Sequence, residues 1–150
     1  MTTFLPGSGE RFVRFPFVQD AAPARVYNAD MSETIILPPG GGRAYEIGPM
    51  RGVFKADEEG YCASEWSVEP HGTGPGAHSH PEQDEVFIVT EGTMWFLAGE
   101  DWVEAPAGTF LRIPAGTTHD FENRSDTRAV AFNVFVPGHH FEARFAQWAS

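Results

Sequence analysis

The chain has 150 residues, of which 41% are hydrophobic, enough for one domain with its own core and too few for two comfortable ones. Ten basic residues against 21 acidic ones give a net charge of −11, which argues against partners with phosphate backbones or anionic membrane surfaces. One cysteine, Cys62, leaves no internal disulfide and suits a reducing cytoplasm; the start Met1–Gly7 has neither a basic stretch nor a long apolar run, so neither a signal peptide nor a membrane span is expected.

In chain order, residues 1–32 read as an N-terminal extension, with Phe12, Phe15, Phe17 and Val18 available for a short strand or for packing. Thr34 to Leu37 reads as a strand stopped by Pro38-Pro39-Gly40-Gly41-Gly42. Ala44–Ile47 and Gly52–Ala56 read as a strand pair turned by Gly48-Pro49, and Tyr61–Glu69 as a longer strand ended by Pro70. Glu85–Thr90 and Thr93–Ala98 form an expected hairpin around Glu91-Gly92. Trp102–Glu104, Thr109–Ile113, His119–Asn123 and Ala129–Val136 complete the strands. Turn signals recur about every 8–12 residues, the spacing of a β-sandwich or barrel. After Pro137-Gly138 the pattern changes: Phe141, Phe145 and Trp148 fall at helical spacing and predict a helix over 140–149 that packs on the body of the domain.

Three of the six histidines gather in two short stretches. His78 and His80 are two apart, so on a strand their imidazoles share a face. The turn Pro81-Glu82-Gln83-Asp84 then brings Glu85 back beside them, with Phe87 and Val89 on the Glu85 face. A carboxylate in such apolar company is costly unless a cation answers it. His119 opens the later strand with Phe121 and Asn123 on its face, after a turn set by Pro114 and Gly116. Three imidazoles and one carboxylate suit a single divalent first-row metal (Fe, Mn, Ni, Co, Cu or Zn) and leave coordination positions open, unlike a closed structural zinc site.

The glycines complete two patterns. The first is a glycine, five residues, His-x-His, four residues, Glu, six residues and Gly, filled by Gly72, His78, His80, Glu85 and Gly92. The second is a glycine, five residues, Pro-x-Gly, two residues, His, three residues and Asn, filled by Gly108, Pro114, Gly116, His119 and Asn123. On these residues the chain resembles the cupin superfamily, and the 15 residues between the motifs resemble the compact microbial cupins. The resemblance implies an all-β fold, a double-stranded β-helix or jelly-roll barrel over 33–150, with a short C-terminal helix. It also implies that His78, His80, Glu85 and His119 are the ligands of one metal ion inside the barrel.

Cupins span many activities, so the fold alone does not fix this one. The Phe-rich strands and the ending Val134-Phe135-Val136-Pro137-Gly138-…-Phe141-Glu142 look most like single-domain relatives of quercetin dioxygenase. That likeness implies a dioxygenase acting on an enol of a small organic molecule, with Glu85 as general base. The alternatives are an oxygen-independent isomerase, cyclase or decarboxylase, and a non-enzymatic small-molecule binder. Asn123 reads as a structural hydrogen-bonder, and Gly92, Gly108 and Gly116 read as turn residues. Glu82 and Asp84 read as a solvated turn. His71, His139 and His140 read as surface residues, and Cys62 as a small buried one. Trp66, Trp95, Phe87, Phe96, Phe121 and Phe132 read mostly as core. Sheet edges and apolar outer faces suggest a homodimer, with the N-terminal extension reaching across to the partner.

Overall fold

The computed structural model describes residues 25–27 and 34–149. Phe12, Phe15, Phe17 and Val18 therefore lie outside the described residues, as does most of the extension over 1–32. The short strands β1 (Arg25–Tyr27) and β2 (Thr34–Ile36) pair with each other. The next strands are β3 (Arg43–Ile47), β4 (Met50–Asp57), β5 (Cys62–Val68), β6 (Asp84–Glu91), β7 (Thr93–Ala98) and β8 (Asp101–Pro106). They are followed by β9 (Phe110–Ile113), β10 (His119–Glu122), β11 (Ala129–Val136) and the helix α1 (Phe141–Ala149). No helix among the described residues is long and apolar enough to cross a membrane.

Two antiparallel sheets make the jelly-roll body. One has six strands in the order β3-β4-β5-β11-β6-β9, and the other has three in the order β10-β7-β8. The expected hairpin of β6 with β7 does not form: β6 pairs with β11 and β9 in the six-stranded sheet, whereas the chain crosses at Gly92 and β7 pairs with β10 and β8 in the other. The period-two pattern decides which side chains face inward. On β6 these are Glu85, Phe87 and Val89; on β7, Met94 and Phe96; on β11, Ala129, Ala131, Asn133 and Phe135.

The space between the sheets is filled with rings. Phe87 and Phe96 lie 4.8 Å apart between centroids, and Phe121 closes on Phe96 at 6.2 Å and on Trp66 at 6.2 Å. Each such side chain contributes about 1.5–3 kcal/mol on burial, with about 0.5–1.5 kcal/mol more for a well-oriented ring pair. Trp95 and Phe132, expected mostly in the core, are only half-buried.

Nine residues are too few for a helix that stands alone, so packing holds α1. Phe141 stacks on Phe135 at 4.0 Å, and Phe145 meets Tyr45, Phe54 and Trp66 at 5.3–5.5 Å. The third residue of the expected aromatic face, Trp148, has a side chain outside the described residues. The buried Glu142 carboxylate adds a polar clamp, accepting from Arg43 Nε at 2.7 Å and from the Tyr45 hydroxyl at 3.0 Å.

Candidate metal centre

The two motifs lie antiparallel and are joined by backbone hydrogen bonds at three levels. The Asn123 amide donates to the Gly72 carbonyl at 2.9 Å, and the Gly116 amide donates to the His80 carbonyl at 2.8 Å. Between them His78 and His119 exchange both bonds, at 2.9 and 2.8 Å. This bridge places their rings 4.4 Å apart. Gly74 makes the approach possible, because a Cβ there would overlap the Phe121 carbonyl oxygen. Gly116 turns the chain back at φ +79°, a left-handed conformation that glycine adopts without steric cost.

The histidine pair does not sit on a regular strand, contrary to the strand reading of His78 and His80. His78 makes an isolated bridge and His80 belongs to no strand. Pro75 and Pro81 flank the segment and have no N–H to extend a ladder. The two rings nevertheless reach one place. His78, His80, Glu85 and His119 each offer a ligand atom, and these atoms all lie within 4.8 Å of one another.

Hydrogen bonds fix which atoms converge. His119 Nδ1 lies 2.9 Å from the Thr117 carbonyl, and His78 Nδ1 lies 2.7 Å from the Gly76 carbonyl. A carbonyl only accepts, so each Nδ1 carries a proton, and a ring in its neutral form turns an Nε2 lone pair inward. Glu85 Oε2 lies 2.7 Å from His119 Nε2 and 3.5 Å from His80 Nε2. These three atoms are buried, and none has a partner in hydrogen-bond geometry. Three buried electron-pair donors aimed at one another are costly to leave unanswered. The donor set fits a divalent first-row cation, which would answer all of them together.

Titration favours the same state for His80. Burial pushes its pKa down to about 4, against the pull of Glu85, so this ring is neutral near pH 7. For His119 burial also lowers the pKa, but contact with Glu85 outweighs it and the net direction is upward.

A buried polar chain supports Glu85. Trp66 Nε1 donates to Ser64 Oγ at 2.9 Å, and Ser64 Oγ donates to Asn133 Oδ1 at 3.2 Å. Asn133 Nδ2 then donates to Glu85 Oε1 at 2.8 Å. One carboxylate oxygen is thus held while the other faces the imidazoles. Asn133 and Ser64 were not singled out from the sequence, although Asn133 carried a signal: it is a polar residue at an inward position between Ala131 and Phe135.

The cluster opens onto a cavity of about 450 Å³ walled by Met50, Trp66, Phe121, Phe135, Phe141 and Phe145. Gln83 and Arg144 are the other polar groups on its lining, and sequence reasoning missed both. The other candidates are elsewhere. Asn123 Nδ2 donates to the Val68, Glu69 and Thr127 carbonyls, the structural role expected of it. Glu82 is exposed, and Asp84 binds the Ala115 amide and Arg112. His71 pairs with Asp126, and His139 and His140 lie beside Glu59. Cys62 is buried, with its thiol pushed up to about 12 mainly by burial.

A family model described as a cupin domain matches residues 64–135, the span that holds all four clustered side chains. An RmlC-like cupin from Shewanella frigidimarina superposes with a TM-score of 0.60 at 17% identity, over 67% of this chain and 88% of the other. A predicted oxalate decarboxylase from Thermotoga maritima gives 0.56 at 17% identity, over 59% and 80% of the two chains. A cupin described as a sugar phosphate isomerase from Silicibacter pomeroyi gives 0.55 at 26% identity, over 59% of each chain. No curated protein sequence matches the chain significantly. The family match over residues 64–135 and the two filled motifs support the cupin resemblance, and the solved structures share its jelly-roll fold.

Proposed function

We propose that the chain is a metal-dependent enzyme, with His78, His80, Glu85 and His119 holding one divalent metal, and that it oxygenates an enol of a small organic molecule. The observation that carries this reading is the juxtaposition of orphaned ligand atoms with an aromatic cavity. A polyhydroxylated sugar or a small dianion would need many hydrogen-bonding groups around it. This cavity offers mostly rings and a thioether, which suit a planar apolar skeleton and exclude water.

When bound, the metal would lower the pKa of an enol or hydroxyl on its open side. Glu85 is the proposed acceptor of that proton. Asn133 occupies Oε1, so the proton goes to Oε2, the oxygen that faces the imidazoles. Phe121, Phe135 and Phe141 wall the space in which the substrate skeleton would be held.

Elemental analysis of natively purified protein is expected to find close to one divalent metal per chain, and His119→Ala is expected to lose most of it. A His119→Ala variant with full metal content would sink the ligand assignment. An oxygen electrode, read against flavonols, diketones and hydroxy acids, tests the chemistry. Oxygen uptake with turnover supports the proposal. Undiminished turnover under strict anaerobiosis replaces it with an isomerase, cyclase or decarboxylase. A metal-loaded protein that turns over nothing but melts higher with a ligand is a binding module.

A further inference from the structure

Six arginines have described side chains, and five of them are ion-paired: Arg43 with Glu142, Arg51 with Glu46, Arg112 with Asp84, Arg124 with Glu122 and Arg128 with Glu91. Arg144 is the sixth. Among the described residues it has no carboxylate partner, although acids outnumber bases by 21 to 10 in the chain. It is also the one arginine on the lining of the aromatic cavity.

Arg144 is held there. Gln83 is 5% exposed, and its Nε2 donates to the Pro137 carbonyl at 2.9 Å and the Gly138 carbonyl at 2.8 Å. With both amide hydrogens committed, Gln83 Oε1 is turned toward Arg144 and accepts from Nη2 at 3.1 Å. The guanidinium also lies 5.7 Å from the centroid of the Phe141 ring. A buried strut and an aromatic face thus orient a fork of donors, most of them uncommitted, at a cavity whose other polar end is the His/Glu cluster.

We propose that Arg144 reads an anionic group, and that the substrate is a ring-bearing carboxylate with its hydroxyl or enol at the cluster and its carboxylate at Arg144. This rests on the reading of the cavity as the substrate site and narrows its ligand. Neutral flavonols lack the second feature. Gln83 is the positioning residue that aims the guanidinium.

The test uses a hydroxyphenylpropanoate, a two-ring carboxylate of the same kind, and the methyl ester of each. Binding is followed by calorimetry on metal-loaded and on chelator-stripped protein. The acid is expected to bind about tenfold tighter than its ester, the scale of one charge-assisted contact. Arg144→Leu should bring that ratio close to one, Arg144→Lys should restore part of it, and Gln83→Met should lower it. Equal affinities for acid and ester, a ratio unchanged in Arg144→Leu, or binding of no probe overturns the proposal. The stripped protein separates the two readings: failure to load metal sinks the enzyme assignment, whereas the acid-to-ester ratio depends on Arg144.

Discussion

Asn133→Leu tests whether the buried polar chain serves the metal site or only the core. Asn133 is 0% exposed, with Glu85 Oε1 at 2.8 Å and Ser64 Oγ at 3.2 Å. Leucine is close to asparagine in size, so the change removes the donor and acceptor without opening a large void. Glu85 loses a charge-assisted bond worth about 1.5–3 kcal/mol, and the Ser64 hydroxyl loses its acceptor at about 1 kcal/mol. The added apolar carbons return about 1 kcal/mol. The net loss is about 1.5–3 kcal/mol, or a fall of about 3–12 °C in the Tm of metal-free protein, read by circular dichroism. Metal affinity, read by competition with a chromophoric chelator, should drop about 10–100-fold as the carboxylate loses its fixed orientation. A variant that melts lower yet keeps its metal affinity within about twofold would refute the link to the site.

Metal affinity should rise with pH. His119 holds its proton above the ordinary histidine range in the metal-free protein, whereas His80, at about 4, is already deprotonated. Uptake therefore displaces a proton from His119, and the apparent affinity should climb about tenfold per pH unit below the His119 pKa and level off above it. A flat profile from pH 5.5 to 8.5 by chelator competition would contradict this. Cys62, buried with its thiol at about 12, should resist a maleimide in the native protein and react only on unfolding; rapid native labelling counts against its burial. Glu142→Ala removes the acceptor shared by Arg43 and Tyr45. Because Arg43 is largely exposed and can turn to water, the loss should be about 1–2 kcal/mol, and limited proteolysis should cut faster near α1. Unchanged proteolysis would mean that the ring contacts alone hold the helix.

Inward and outward faces were legible in the sequence wherever a strand was regular. Parity alone placed Glu85 with Phe87 and Val89, and His119 with Phe121 and Asn123, on buried faces. At His78 and His80 the rings converge as parity placed them, but on no strand: flanking prolines break the ladder and the pairing comes from the second motif. The supports of the site were harder to see because they come from distant positions. Asn133 meets Glu85 across 48 residues, and Gln83 meets Arg144 across 61. Such contacts depend on which strands become neighbours, and the order β5-β11-β6 is not written in any local pattern.

The bonds that join the two motifs also act as a register lock. If the segment around β10 slipped by one residue, His119 and Phe121 would turn outward and Asp120 would turn in. Such a misaligned chain could still collapse around its rings, but it would lack one imidazole. Metal capture then becomes a proofreading step that stabilises only the correctly aligned strand. The amides of His78 and His119, each donating to the other residue's carbonyl, should gain protection from hydrogen exchange only once that alignment is complete.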